Sequence, residues 1–95
     1  MSAAPFQRDV SATLDELANW VVAAYPDAHR DGAGTYHIES GDAALTLSAT
    51  PGPERRIALL RLPTLRIEYR FTRGSAEGRA ALLRRLDLYM HRGGG

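Results

Sequence analysis

From Leu65 to Phe71 the chain reads LRIEYRF, apolar at every odd position and charged at every even one. A β-strand sends successive side chains to opposite faces, so this run predicts a strand with Leu65, Ile67, Tyr69 and Phe71 buried and Arg66, Glu68 and Arg70 in water. Two more stretches alternate in the same way. TYHIES at 35–40 puts Tyr36 and Ile38 on one face and Thr35, His37 and Glu39 on the other. AALTLSAT at 43–50 separates Leu45, Leu47 and Ala49 from Thr46, Ser48 and Thr50, and the Gly-Asp between the two stretches predicts a hairpin. A fourth strand is expected over 55–62, after the turn PGPE at 51–54. Its run IALLRL is apolar in both phases. A tight turn at Pro63 and Thr64 would pair Leu62 with Leu65, send Ala58, Leu60 and Leu62 inward and leave Ile57, Leu59 and Arg61 outside.

Helical spacing flanks these strands. Phe6, Val10, Leu14, Leu17, Val21 and Tyr25 recur at steps of three and four, which predicts an amphipathic helix between Pro5 and Pro26 with Arg8, Asp15, Glu16 and Asn19 directed outward. Thr13 to Glu16, TLDE, offers a capping box for a later start. PDAHRDGAG at 26–34 has the composition of a loop. Ser75 suits an N-cap, Glu77 the first turn, and Leu82, Leu83, Leu86, Tyr89 and Met90 form the apolar stripe of a second helix. His91 and Arg92 favour its negative end, and Gly93 suits its termination. The expected architecture is an α+β two-layer sandwich: an N-terminal helix, a four-stranded antiparallel meander and a C-terminal helix, both helices on one sheet face. Residues 1–92 form a single domain in this scheme, and 93–95 a flexible glycine tail.

Several chemistries are removed by residue types alone. The 95 residues contain no cysteine, and all 12 basic residues are arginine, so thiolate nucleophiles, zinc-thiolate sites and lysine chemistry have no side chain to use. The first residues lack a signal-peptide apolar run, and no segment reaches the ~18 apolar residues of a membrane span. A cytoplasmic chain without a membrane partner is therefore expected. Asp27, His29, Asp31 and Gly32 fit the start of a calcium loop, but Ile38 stands at its twelfth position, where a bidentate glutamate is needed. His29, His37 and His91 fall on different elements. His37, Glu39 and a hydroxyl of Thr46 or Ser48 have the residue types of a triad, yet an open sheet offers no water-excluding cleft. No enzyme, metal or cofactor is expected.

Charge divides the chain. Residues 1–54 hold two arginines against eight carboxylates, net −6, and residues 55–95 hold ten arginines against three carboxylates, net +7. Arg79, Arg84, Arg85 and Arg92 on the second helix suit the phosphates of a duplex, which makes nucleic acid the alternative partner. Stacking of single-stranded bases is not expected, because Tyr69 and Phe71 lie opposite Arg66 and Arg70. In outline the element order resembles the double-stranded RNA-binding domain, although the lysine-rich start of that domain's second helix is missing and one strand is extra. The terminal HRGGG follows a helix, unlike the tail of ubiquitin-like proteins, and Asp9, Asp15 and Glu16 are too few for a frataxin-like acidic ridge. The leading expectation is a non-catalytic interaction module that binds a protein partner or a second copy through the open sheet face. Ile57 and Leu59 would form its apolar centre, and Arg61, Arg66, Glu68, Arg70, His37 and Glu39 its polar border.

Overall fold

The structure is a computed structural model that describes the backbone of residues 4–94 and side chains through Met90. The side chain of Arg92 and Gly95, the end of the expected glycine tail, lie outside the described residues. In chain order the elements are β1 (Phe6–Val10), α1 (Leu14–Ala24), β2 (His29–Arg30), β3 (Tyr36–Ser40), β4 (Ala43–Pro51), β5 (Arg55–Ile57), β6 (Leu60–Leu62), β7 (Leu65–Arg73) and α2 (Ala76–Gly94). Five strands make one antiparallel sheet in the order β1-β7-β4-β3-β2, and β5 with β6 makes a separate two-stranded hairpin.

Alternation assigns the buried face correctly on three strands. Leu65, Ile67 and Tyr69 are 2%, 0% and 0% exposed. With Phe71, Leu45, Leu47, Tyr36 and Ile38 they join Leu17 and Val21 of α1 and Leu82, Leu86 and Met90 of α2 in one apolar cluster. Both helices therefore cover the same face of the sheet.

The first helix is shorter than its apolar spacing predicts. Phe6–Val10 is an edge strand paired antiparallel with β7, from Phe6 opposite Tyr69 to Val10 opposite Leu65. A step of four is even, so Phe6 and Val10 satisfy the period of a strand as well as that of a helix. What decides is the capping box: Thr13 Oγ1 accepts from Glu16 N at 3.1 Å, Glu16 Oε1 accepts from Thr13 N at 3.0 Å, and the helix starts at Leu14. Strand geometry also turns Arg8 inward, contrary to its expected outward direction. Its guanidinium donates to Asp87 on α2 at 2.8 Å and lies 5.1 Å from the centre of the Tyr69 ring. The stretch expected as a loop contains the short strand β2, in which His29 and Arg30 pair with His37 and Tyr36.

The four-stranded meander is the larger correction. β4 pairs directly with β7, in register from Leu45 opposite Phe71 to Pro51 opposite Leu65. The edge that residues 55–62 were expected to occupy is thus filled, and they fold back on themselves instead, with Arg55 opposite Leu62, Arg56 opposite Arg61 and Ile57 opposite Leu60. The turn lies at Ala58 and Leu59, not at Pro63 and Thr64. Prolines 51, 53 and 63 bracket the excursion and, lacking an N–H, cannot extend a ladder through it.

The start of α2 and the end of α1 are both tied down by side chains. Ser75 Oγ accepts from Gly78 N at 3.0 Å, and Asp42, in the β3–β4 turn, accepts from Ser75 N at 3.1 Å. Arg85 on α2 donates to the carbonyl of Ala24 at 2.8 Å, so a cation from one helix satisfies the C-terminus of the other.

Candidate functional site

The open face of the sheet holds five of the eight residues expected to form an interface: Arg66, Glu68 and Arg70 on β7, and His37 and Glu39 on β3. Cross-strand register sets their neighbours. Arg66 stands opposite Asp9 of β1 and reaches it at 3.2 Å; Arg70 lies 3.9 Å from Glu68. Between β4 and β7 the register shifts at Ala44 and Leu45, and the bulge brings Arg73 opposite Ala44. Ala44 is small enough for Arg73 to pass over it and meet Glu39 at 3.1 Å. His37 Nε2 contacts Asp31 at 2.9 Å. That carboxylate also accepts from the backbone N–H groups of Ala33 and Thr35. The His37 contact first, and then the Thr35 N–H, hold Asp31 below the ordinary carboxylate value. The charges of this face are committed to one another, and its apolar centre is missing.

The other three expected residues, Ile57, Leu59 and Arg61, are on the hairpin of β5 and β6, hereafter the arm. Every residue from Pro51 to Arg61 is exposed. Leu59 is 99% exposed at the tip, Leu60 62% and Ile57 51%. Directly opposed residues share a face of a hairpin, so Ile57 and Leu60 form an apolar side and Arg56 and Arg61 face each other on the reverse. Arg55 extends the apolar side toward the base. Among the described residues, none of these three arginines takes part in an ion pair; those found engage Arg8, Arg66, Arg70, Arg73 and His37. At the base, Gly52 N donates to Thr64 O at 2.9 Å and Thr64 Oγ1 donates to Pro53 O at 2.7 Å. A Cβ on Gly52 would stand 2.8 Å from Thr64 Oγ1, so any larger residue there would displace the hydroxyl that bonds Pro53 O.

Two open grooves flank that base. One, about 450 Å³, runs toward the start of α1 and is lined by Leu14, Asp15, Pro51, Glu54, Pro63 and Leu65 among others. The other, about 580 Å³, opens on the sheet-face side between Asp9, Thr50, Glu54, Arg55 and Arg66. Sequence reasoning did not place Arg55, Arg56 and Leu60 on an exposed hairpin, or the Leu14–Asp15 step beside its base. The signal available was the pair of proline-bearing breaks, at 51–53 and at 63, around a run that is apolar in both phases.

The arginines expected to meet nucleic acid lie along α2. Arg85 is engaged with the Ala24 carbonyl and lies 5.6 and 5.7 Å from the Tyr25 and Tyr89 rings. Arg79 donates to the Gly74 carbonyl at 2.5 Å. Arg84 is exposed on the outer side of α2. Among the described residues no group of three or more His, Asp or Glu side chains is placed to hold a metal ion. Among the described residues no helix is long and apolar enough to cross a membrane. Comparison with protein families, curated proteins and solved structures gives no match.

Proposed function

We propose that the protein is a non-catalytic interaction module and that it engages a protein partner through the projecting arm rather than through the sheet face. The observation that carries this is the exposure of Leu59, Leu60 and Ile57 together, on a hairpin whose three arginines have no carboxylate partner among the described residues. An apolar tip with a guanidinium border has the composition of an interface centre and rim, and arginine forms two-pronged bonds to carboxylates. The sheet face has the opposite character, since its cations and anions already pair. Contacts to duplex phosphates would draw on the guanidiniums of α2, where Arg79 and Arg85 already donate to the Gly74 and Ala24 carbonyls.

A photo-crosslinking residue in place of Leu59, and separately in place of Thr46 on the sheet face, tests this in the producing cells. Protein adducts from position 59 and none from position 46 are the expected result. Adducts confined to position 46, or adducts from position 59 that a nuclease removes, contradict it.

A further inference from the structure

We infer that the arm's partner is a second copy of this chain, held in a two-fold dimer in which each arm tip lies in the groove between α1 and the base of the other copy's arm. This rests on the interaction role of the arm and adds the identity of what it meets.

Two properties of the arm call for a particular occupant. A two-stranded hairpin of three residues per strand is marginal by itself in water. Here it also sets Arg56 directly opposite Arg61 and holds Ala58 at φ +54, a region that disfavours an L-residue. An apolar surface with carboxylates beside it would relieve the like-charge opposition and cover Ile57, Leu59 and Leu60.

The 450 Å³ groove has that composition. Its floor and walls include Leu14, Pro51, Pro63 and Leu65, its titratable groups are Asp15 and Glu54, and no cation lines it. Leu14 is 42% exposed there, although it opens the apolar stripe of α1. The groove on the sheet side mixes Asp9 and Glu54 with Arg55 and Arg66, so charge selects the first. An arm cannot fill the groove at its own base, because Leu59 lies four residues beyond Arg55 and a strand rises about 3.4 Å per residue, about 14 Å in all. Another copy can. Tip and groove occupy the same end of the molecule, so a two-fold axis beside the arms sets them antiparallel and fills both grooves in one operation, the self-complementary arrangement of an isologous dimer. The open edges of β5 and β6 then also run beside each other.

Sedimentation of the purified chain, combined with charge reversal, tests the arrangement. The wild type is expected at twice the chain mass at about 100 μM, and Leu59→Asp is expected to raise the dissociation constant roughly 30-fold or more, the loss given by an interface hot spot. Its secondary structure should not change, since Leu59 touches no core. Arg56→Glu with Arg61→Glu gives an acidic arm over an acidic groove; Asp15→Arg with Glu54→Arg gives a basic arm over a basic groove. Each double variant alone should be monomeric and the two mixed should form a one-to-one dimer, because only the mixed pair opposes unlike charges at both contacts. A wild-type dimer that survives Leu59→Asp, or a mixture that stays monomeric, overturns the arrangement. A monomeric wild type whose position 59 crosslinks to a different protein overturns the second copy and leaves the interaction role standing. Monomer with no protein crosslink overturns both.

Discussion

Ala58 concentrates at one residue the cost of building the arm. A positive φ at the first loop position, and not at the second, is the pattern of a type II′ hairpin turn, where glycine is the usual occupant. Ala58→Gly should remove about 1 kcal/mol of backbone strain and slow hydrogen exchange of the arm amides roughly fivefold, without moving the melting temperature of the core. Gly74 is the reverse case. It sits at φ +128, and a Cβ there would stand 2.8 Å from both Cα and Cβ of Ala43, so Gly74→Ala should cost about 2–3 kcal/mol in denaturant unfolding. Asp42 ties the sheet to α2, and its hydrogen bonds to Ser75, side chain first and backbone second, hold its carboxyl below the ordinary 3.8. A lowered folded-state value means stabilisation that is complete above 3.8 and is lost as pH falls from there through the folded value. Asp42→Asn should therefore lower stability at pH 7 and flatten the acid side of the stability profile. An unchanged slope below pH 4 would show that Asp42 does not contribute to it.

At the scale of elements, legibility followed how many constraints a pattern satisfied. β3, β4 and β7 alternate strictly, and only one phase buries them, so their inward residues follow from sequence. α2 combines an N-cap, a first-turn acid and a stripe, and its position follows too. Phe6 and Val10 obey two periods at once, and nothing within residues 6–10 separates them; the box at Thr13–Glu16 is the local signal that the helix begins later. Thr13→Ala should cost about 1 kcal/mol, read as a lower midpoint in urea, because it removes that start signal. Residues 55–62 depart from the expected sheet strand because an isolated strand sequence does not say which edge it will meet. β7 prefers β4, which supplies Leu45, Leu47 and Ala49 against Phe71, Tyr69 and Ile67, and the aliphatic run between them is left without a sheet. Since no arm residue belongs to the core cluster, replacing 52–64 by a short turn should leave unfolding free energy within about 1 kcal/mol of wild type. A loss of several kcal/mol would mean that the arm packs as part of the fold.

Across the whole molecule, the opposite charges of the two halves are partly spent internally. Arg66 meets Asp9 and Arg73 meets Glu39, each pairing the basic half with the acidic one. What remains concentrated is the arm, basic at Arg55, Arg56 and Arg61 below its apolar tip, above a groove whose titratable groups are acidic. Five of the eight expected interface residues share one face in the structure, yet Ile57, Leu59 and Arg61 are separated from them by the fold-back at Ala58 and Leu59. Composition thus indicated the kind of surface, while its location depended on pairing between strands far apart in sequence. Hydrogen exchange of the purified chain across a dilution series tests the projecting arm and its docking together. Amides of 55–62 should exchange fast in dilute solution while those of β4 and β7 stay protected, and concentrating the chain should protect 55–62 and the start of α1 in parallel. Arm amides as slow as those of β7 at every dilution, or fast at every concentration, would contradict the account.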